Sequence, residues 1–291
     1  MTQKPLVSIG VPVRNGGDYL QEALEQVVNQ TYRNIEIVIS DNNSTDKTPE
    51  ICKSFQKQDT RIKYFPQNEK INAIQNFRFV AEHSTGDYFM WAAHDDRRDL
   101  NYVEVLLERM LKEPGASIVF SDVAIFQDFS EWASAKPLDY DFECRMNDSY
   151  WRKIRERKYI KPGFLHIYGL IRREKLLDYN WIQIEISPDK PLLLYLSCRG
   201  DFIKTEGTCI YIYSPRIKKK DGQRAVDNFY TNLKPFPRLR LSWVCAKTGT
   251  YAEKLEERNR STTLSFALFL YEGVRRLLGK VKRFLEKHLL K

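Results

Sequence analysis

The chain has 291 residues, 42% hydrophobic and 29% charged, which suits a soluble protein of one large domain, or one domain plus an appendage. Its net charge of +9 points to an anionic partner such as phosphate or an acidic membrane surface. No apolar run reaches the roughly 20 residues of a spanning helix. The five scattered cysteines contain no C-x-x-C pair, so they read as reduced and structural rather than metal-binding.

Leu6 to Val13 reads as a buried strand, followed by the turn Arg14-Asn-Gly-Gly17. Asp18 is placed to cap a helix over Tyr19 to Asn29. Asn34 to Ser40 is a second strand ending in Asp41-Asn-Asn-Ser-Thr-Asp46, where Thr45 or Asp46 caps a helix with Pro49 in its first turn. Arg61 to Phe65 is a short third strand, and a helix covers about Ala73 to His83. The apolar run Tyr88 to Ala93 is a strand that ends in two adjacent carboxylates, Asp95 and Asp96. A helix from about Asn101 to Lys112 stops at Pro114-Gly115, and Ala116 to Phe126 is a further strand.

Asp128 to Arg157 is irregular and reads as a substrate-facing segment. Pro162 to Gly169 is a loop leading into a short strand, with a helix over Arg173 to Tyr179. Ser187-Pro-Asp-Lys-Pro191 starts a helix that runs to Cys198. Asp201 to Lys204 and Cys209 to Tyr213 read as two strands. The basic, polar stretch Lys218 to Arg224 marks the best domain boundary. This alternation implies an α/β fold, a mostly parallel sheet with helices on both faces. Acids at strand ends (Asp41, Asp95, Asp96, Asp122) then gather along one edge, where open α/β sheets bind ligands. Two adjacent carboxylates repel unless a cation or hydrogen-bond donors lie between them, so Asp95 and Asp96 read either as a metal site holding phosphate or as a solvated acidic loop.

Three stretches resemble the inverting glycosyltransferases of family 2, which have the GT-A fold. They are Val7 to Leu20 with Gln30-Thr31-Tyr32 downstream, Ile37 to Asp46, and Gly86 to Asp96. The resemblance implies a GT-A domain over residues 1–222, its nucleotide-sugar half over 1–125 and its acceptor half over 126–222, followed by a helical extension over 223–291. It implies that Pro12, Val13 and Arg14 flank the base and ribose and that Asp41 contacts the base, unless Asp41 only braces its turn. Asp95 would lie near the ribose or diphosphate, and Asp96 would ligate Mn²⁺ or Mg²⁺. A general base comes from the second half, and Asp189 is the candidate, with Glu185 and Asp201 behind it. Asp189 also reads simply as an acid favoured at a helix N-terminus. His166 and Trp181 are acceptor-side candidates, each equally readable as packing.

The chain departs from the family pattern in three places. Ala93 and His94 stand where many members have an acid before the Asp pair, Asn42 stands where Asp is common, and the Q-x-x-R-W motif of processive synthases is absent. The expected activity is one sugar moved from a UDP, dTDP or GDP sugar to a glycan or lipid-linked acceptor in cell-surface glycan assembly. The alternative is a non-catalytic nucleotide-sugar-binding protein. No G-x-G-x-x-G follows the first strand, which argues against a dinucleotide enzyme, and no nucleic-acid motif accompanies the charge.

From Leu264 onward, Ala267, Tyr271, Val274, Leu278, Val281 and Leu285 form one apolar stripe bordered by basic residues. Residues 261–291 hold seven Lys/Arg against two acids, which leaves +5 of the +9 there. This basic amphipathic helix reads either as an interfacial helix on anionic lipid or as a helix docked on its own domain or a second subunit. The start of the chain lacks the apolar core of a signal peptide, so the expected location is cytoplasmic, with peripheral membrane attachment if the helix meets lipid.

Overall fold

The computed structural model describes residues 4–139, 144–148, 164–179, 181 and 189–214. The expected C-terminal helix, the boundary at residues 218–224 and Glu185 lie outside the described residues. Eight strands form one sheet in the order β3-β2-β1-β4-β7-β6-β8-β5. The strands are β1 (Val7–Val13), β2 (Ile35–Asp41), β3 (Ile62–Pro66), β4 (Tyr88–Trp91), β5 (Arg97–Arg98), β6 (Ala116–Phe126), β7 (Leu170–Arg172) and β8 (Asp201–Tyr213). The helices are α1 (Leu20–Val28), α2 (Thr48–Gln58), α3 (Ala73–Glu82), α4 (Tyr102–Lys112), α5 (Glu174–Leu177) and α6 (Asp189–Ser197).

Every residue of β1 and β2 is buried, as expected of strands covered by helices on both faces. β1 pairs in parallel with β2 and with β4, and β2 pairs in parallel with β3. Strand order therefore reverses beside β1, and a switch point opens between the carboxyl ends of β1 and β4. Gly10 in β1 is there for space: a Cβ on it would come within 2.7 Å of Val80 and 2.8 Å of Phe89, so α3 and β4 pack directly on the backbone.

The other half is mixed. β7 is antiparallel to both β4 and β6, β5 is antiparallel to β8, and β6 with β8 is parallel. Arg172 locks β7 in place. Its guanidinium donates to Met110 O, Glu113 O and Ala116 O, closing the carboxyl end of α4 and reaching the start of β6.

Five local expectations are corrected. Asp18 does not cap α1; Tyr19 is the N-cap and no side chain bonds there, because the backbone of Gly16 already accepts the Tyr19 and Leu20 amides. The two expected C-terminal strands are one, β8, interrupted by an irregularity opposite Phe120 and Asp122 that includes Gly207 at φ +85°. Asp122 is not at a strand end; it lies within β6 and pairs with Lys204 at 2.8 Å. The two-residue strand β5 has too short a pattern to be read from sequence. The N-cap of α2 is Lys47, not Thr45 or Asp46, although the Asp46 carboxylate accepts the Thr48 amide, and α3 carries a reciprocal capping box between Asn72 and Gln75.

Candidate active site

Two loops interlock at the carboxyl ends of β1 and β2. Asn15 N donates to Ser44 Oγ, Thr45 N to Asn15 Oδ1, Gly16 N to Thr48 Oγ1 and Gly17 N to Asp46 Oδ2. Asn15 and Asn43 take φ of 51° and 53°, the left-handed region that asparagine tolerates better than most residues. Pro12 and Val13 end β1, buried beside Ser40 and Asp41, while Arg14 is exposed at the rim. The Asp41 carboxylate is 2% exposed; it accepts the Ser44 amide at 3.0 Å and the Tyr64 hydroxyl at 2.9 Å. It therefore braces its turn in this structure, and burial together with this bond raises the Tyr64 pKa.

The departure at Asn42 has a physical reason. Its Nδ2 donates to Ile71 O and its Oδ1 accepts from Ile71 N, each at 2.8 Å, a two-way bond that an aspartate could not make. Asn76, 4% exposed on α3, ties the same region together through Ser40 Oγ at 2.6 Å and the carbonyls of Val13 and Ser40.

Across the switch point, the chain leaving β4 carries His94, Asp95 and Asp96. His94 packs against Gly16, where a Cβ would come within 2.8 Å of the ring, so it fills space between the two loops. Asp95 is half-buried and Asp96 is 3% exposed. Asp96 Oδ1 accepts the Tyr213 amide at 3.0 Å, and the buried Oδ2 has no hydrogen-bond partner among the described residues. Burial first, and then the charge of Asp95, push the Asp96 pKa up to about 7, against the pull of the Tyr213 amide and of Arg98 and Arg97. Arg97 is spent on Glu22 at 2.7 Å and on the Asp96 carbonyl at 3.1 Å. Arg98 is buried alongside, its Nη1 without a partner among the described residues.

A lone buried carboxylate oxygen beside a second carboxylate is a fitting seat for a hard divalent cation. No group of three or more His, Cys, Asp or Glu among the described residues could hold a metal by itself. A cation here would take Asp96, with Asp95 close by, and depend on substrate oxygens and water for its remaining ligands.

Asp189 is the first residue of α6 and faces a cavity of about 170 Å³ shared with Phe77, Trp91, Tyr168, Tyr179 and Trp181. Trp181 meets Trp91 edge to face at 6.2 Å and Tyr179 at 5.3 Å. Tyr168 was not singled out from sequence. Burial and then the charges of Asp96, Asp95 and Asp189 push its phenol well above the ordinary range. The structure thus brings Asp189 and Trp181 to one cavity, while Asp95 and Asp96 lie beyond β4 outside its lining. It leaves two candidates out. His166 is 1% exposed, its ring packed edge-on against Phe120 at 4.3 Å and beside Phe202, with burial lowering its pKa to about 3; it is a core residue rather than an acceptor contact. Asp201 begins β8 next to Ala116 and accepts the Met146 amide, at the far end of the strands from Asp189. The signal that could have pointed to Tyr168 is its place between His166 and Gly169, just ahead of β7, which is inserted beside β4.

A mixed α/β sheet covered by helices, with acids beyond the carboxyl ends of β2 and β4, is the architecture of the GT-A fold. The sequence model of glycosyl transferase family 2 matches residues 8–179, and the chain belongs to that family. Among curated relatives, the glycosyltransferase GlyG of Streptococcus pneumoniae is 36% identical over 117 residues, 40% of this chain and 38% of that one. A GalNAc(5)-diNAcBac-PP-undecaprenol beta-1,3-glucosyltransferase of Campylobacter jejuni is 30% identical over 153 residues, 52% of this chain and 49% of that one. The chain thus spans less than half the length of either relative. Among solved structures, S. aureus TarS 1–349 in complex with UDP-GlcNAc superposes with a TM-score of 0.62 at 14% identity, over 88% of this chain and 69% of that one. The mannosyltransferase PcManGT of Pyrobaculum calidifontis, in complex with GDP-Man and Mn²⁺, gives 0.54 at 14% identity, over 98% and 81%. These two likenesses carry the fold. Among the described residues no helix is long and apolar enough to cross a membrane.

Proposed function

We propose that this protein moves one sugar from a nucleotide-diphospho-sugar to an acceptor hydroxyl in a single displacement that inverts the anomeric carbon. The observation that carries the reading is the orphaned, buried Asp96 Oδ2 next to Asp95, with Asp189 lining a cavity together with Tyr168. In this reading Pro12, Val13 and Arg14 flank the nucleoside at the end of β1. Asp41 contacts the base by exchanging one of its present bonds, and Asp95 lies near the ribose and diphosphate. Asp96, with Asp95 close by, would hold Mn²⁺ or Mg²⁺, and the ion would supply positive charge for the diphosphate leaving group.

Asp189 takes the proton of the acceptor hydroxyl. That oxygen forms its bond to the anomeric carbon from the opposite face, while the bond to the diphosphate breaks and its electron pair leaves with the nucleoside diphosphate. Tyr168, held protonated by its surroundings, donates a hydrogen bond at this junction. The nucleotide sugars bound by TarS and PcManGT support the choice of donor class. The Campylobacter relative, named for an undecaprenol-linked glycan, supports an acceptor in cell-surface glycan assembly. Such an acceptor gives the basic stretch 264–291 a role on the inner face of the membrane. Incubating the protein with UDP-, GDP- and dTDP-sugars and following release of nucleoside diphosphate tests the reading. Metal-dependent release from one donor, lost in Asp189→Asn, is expected. Absence of release from every donor contradicts it.

A further inference from the structure

We infer that Arg97 is a positioning residue for the acid pair: anchored on Glu22 and covered by Phe129, it fixes the turn after β4 so that Asp96 presents Oδ2 as its open oxygen. That this oxygen meets a metal ion rests on the function proposed above. The Arg97 side chain is 1% exposed, and its fork serves two elements at once. Nη1 donates to the Asp96 carbonyl at 3.1 Å, and Nη2 donates to Glu22 Oε2 at 2.7 Å. Glu22 lies in the first turn of α1, and its side chain is 62% exposed. A surface carboxylate thus holds a buried guanidinium, which in turn holds the backbone of Asp96.

A second grip closes on the same residue, because the Tyr213 amide donates to Asp96 Oδ1 at 3.0 Å. Both grips meet at Phe129. The centre of its ring lies 4.8 Å from the Arg97 guanidinium carbon and 4.4 Å from that of the Tyr213 ring. Tyr19, one turn ahead of Glu22, stacks on the other side chain of this group, Phe129, at 4.4 Å. The start of α1 therefore supports the turn through two side chains. Held at its carbonyl and at Oδ1, Asp96 is left with Oδ2 as the open oxygen. Burying the Arg97 charge is costly, and its Nε has no hydrogen-bond partner among the described residues, so a residue placed only to pack the sheet edge would be apolar. A planar fork reaches an acceptor on each side, which the single ammonium of a lysine does not.

Positioning and simple charge predict opposite signs. A guanidinium beside the acid pair repels a metal ion, so loss of its charge alone would tighten metal binding. Loss of a group that orients a metal ligand weakens binding, by about 10–100-fold. Electron paramagnetic resonance of free Mn²⁺ on the full chain reads this difference. Mn²⁺ is titrated alone and with UDP, GDP or dTDP into wild type, Arg97→Gln, Glu22→Gln and the double variant, each shown to be folded by circular dichroism. The inference expects binding about 10–100-fold weaker in Arg97→Gln, a smaller loss in Glu22→Gln, and no further loss when the two are combined. Should Arg97→Gln fail to fold, Arg97→Lys takes its place; it keeps the charge but not the fork, and binding is again expected to weaken.

A role only in holding the sheet edge would lower the urea midpoint of the variants and leave the Mn²⁺ affinity of the folded protein unchanged. Affinity unchanged or raised in the Arg97 variant, or a Glu22→Gln loss that adds in full to it, overturns the inference and leaves the proposed function standing. Wild type that binds no Mn²⁺, alone or with any of the three nucleotides, removes the proposed function and the inference with it, so the two failures are distinguishable.

Discussion

The β3-β2-β1-β4 half of the sheet is built only from parallel pairs, while β7, β6, β8 and β5 join through three antiparallel pairings and one parallel one. In the first half each crossover helix returns the chain to the same end, so acids at the carboxyl ends of β2 and β4 collect at one edge by topology alone. In the second half strand direction alternates. Its contribution to the site comes from a short turn ahead of β7 and the first residue of α6, held by packing such as the Arg172 lock. The parallel half carries the clustered acids Asp41, Asp95 and Asp96. The mixed half contributes Tyr168, Tyr179, Trp181 and Asp189 to a cavity that Phe77 and Trp91 of the parallel half also line.

Separating the two contributions gives the largest effect. Asp189→Asn should lower transfer by about 10²–10⁴-fold, with metal-dependent nucleotide binding, a property of the parallel half, left intact in calorimetry. Next is the foundation of the parallel half. The Glu36 carboxylate is buried at the end of the strands opposite the site and accepts from Ser8 Oγ, Lys63 Nζ, and the amides of Thr85 and Gly86. Glu36→Ala should cost about 3 kcal/mol in urea unfolding, because these donors lose their common acceptor.

The same residue sets a pH dependence. Burial raises the Glu36 pKa, but the bonds from Lys63, Ser8 and Thr85 outweigh it and hold it at about 2, below the unfolded value of 4.5. The unfolded chain therefore binds the extra proton between these values. The Glu36 contribution should be complete above pH 4.5 and disappear as pH falls toward 2, and Glu36→Ala should flatten the stability curve there.

A smaller effect is expected at Asn42→Asp, which removes the donor to Ile71 O and should cost about 1–2 kcal/mol along with nucleotide affinity. Smallest is Lys204→Ala in the mixed half. Its pair with Asp122 is partly exposed, so denaturation should register less than about 1 kcal/mol.

The parallel half was legible in the sequence because each buried strand is a continuous apolar run and each helix has a clear period; the limits of β6 match their expected positions, and those of β1 and β2 differ by one residue. The turn acids were legible as a cluster, but not the division of labour within it. Asp46 is consumed in joining two loops through Gly17, and Asp41 is held by Ser44, three residues on and within reach of local pattern, and by Tyr64 on β3, which local pattern does not reveal. β5 escaped notice because two arginines carry no strand signature; they are buried because β8 pairs with them and Glu22 reaches one of them. His166 looked functional by residue type, but long-range packing on Phe120 and Phe202 puts it in the core. Tyr168 was missed for the converse reason: its surroundings come from β4 and α6, distant in sequence.

The central claim is that the Asp95–Asp96 pair seats a cation that binds nucleotide diphosphate. Its most direct test is calorimetric titration of UDP, GDP and dTDP, each with and without Mn²⁺, into wild type and Asp96→Ala. The account predicts that one nucleotide binds wild type far more tightly with Mn²⁺ and that Asp96→Ala abolishes the metal effect. Binding of none of the three, or a metal effect unchanged in Asp96→Ala, would contradict it.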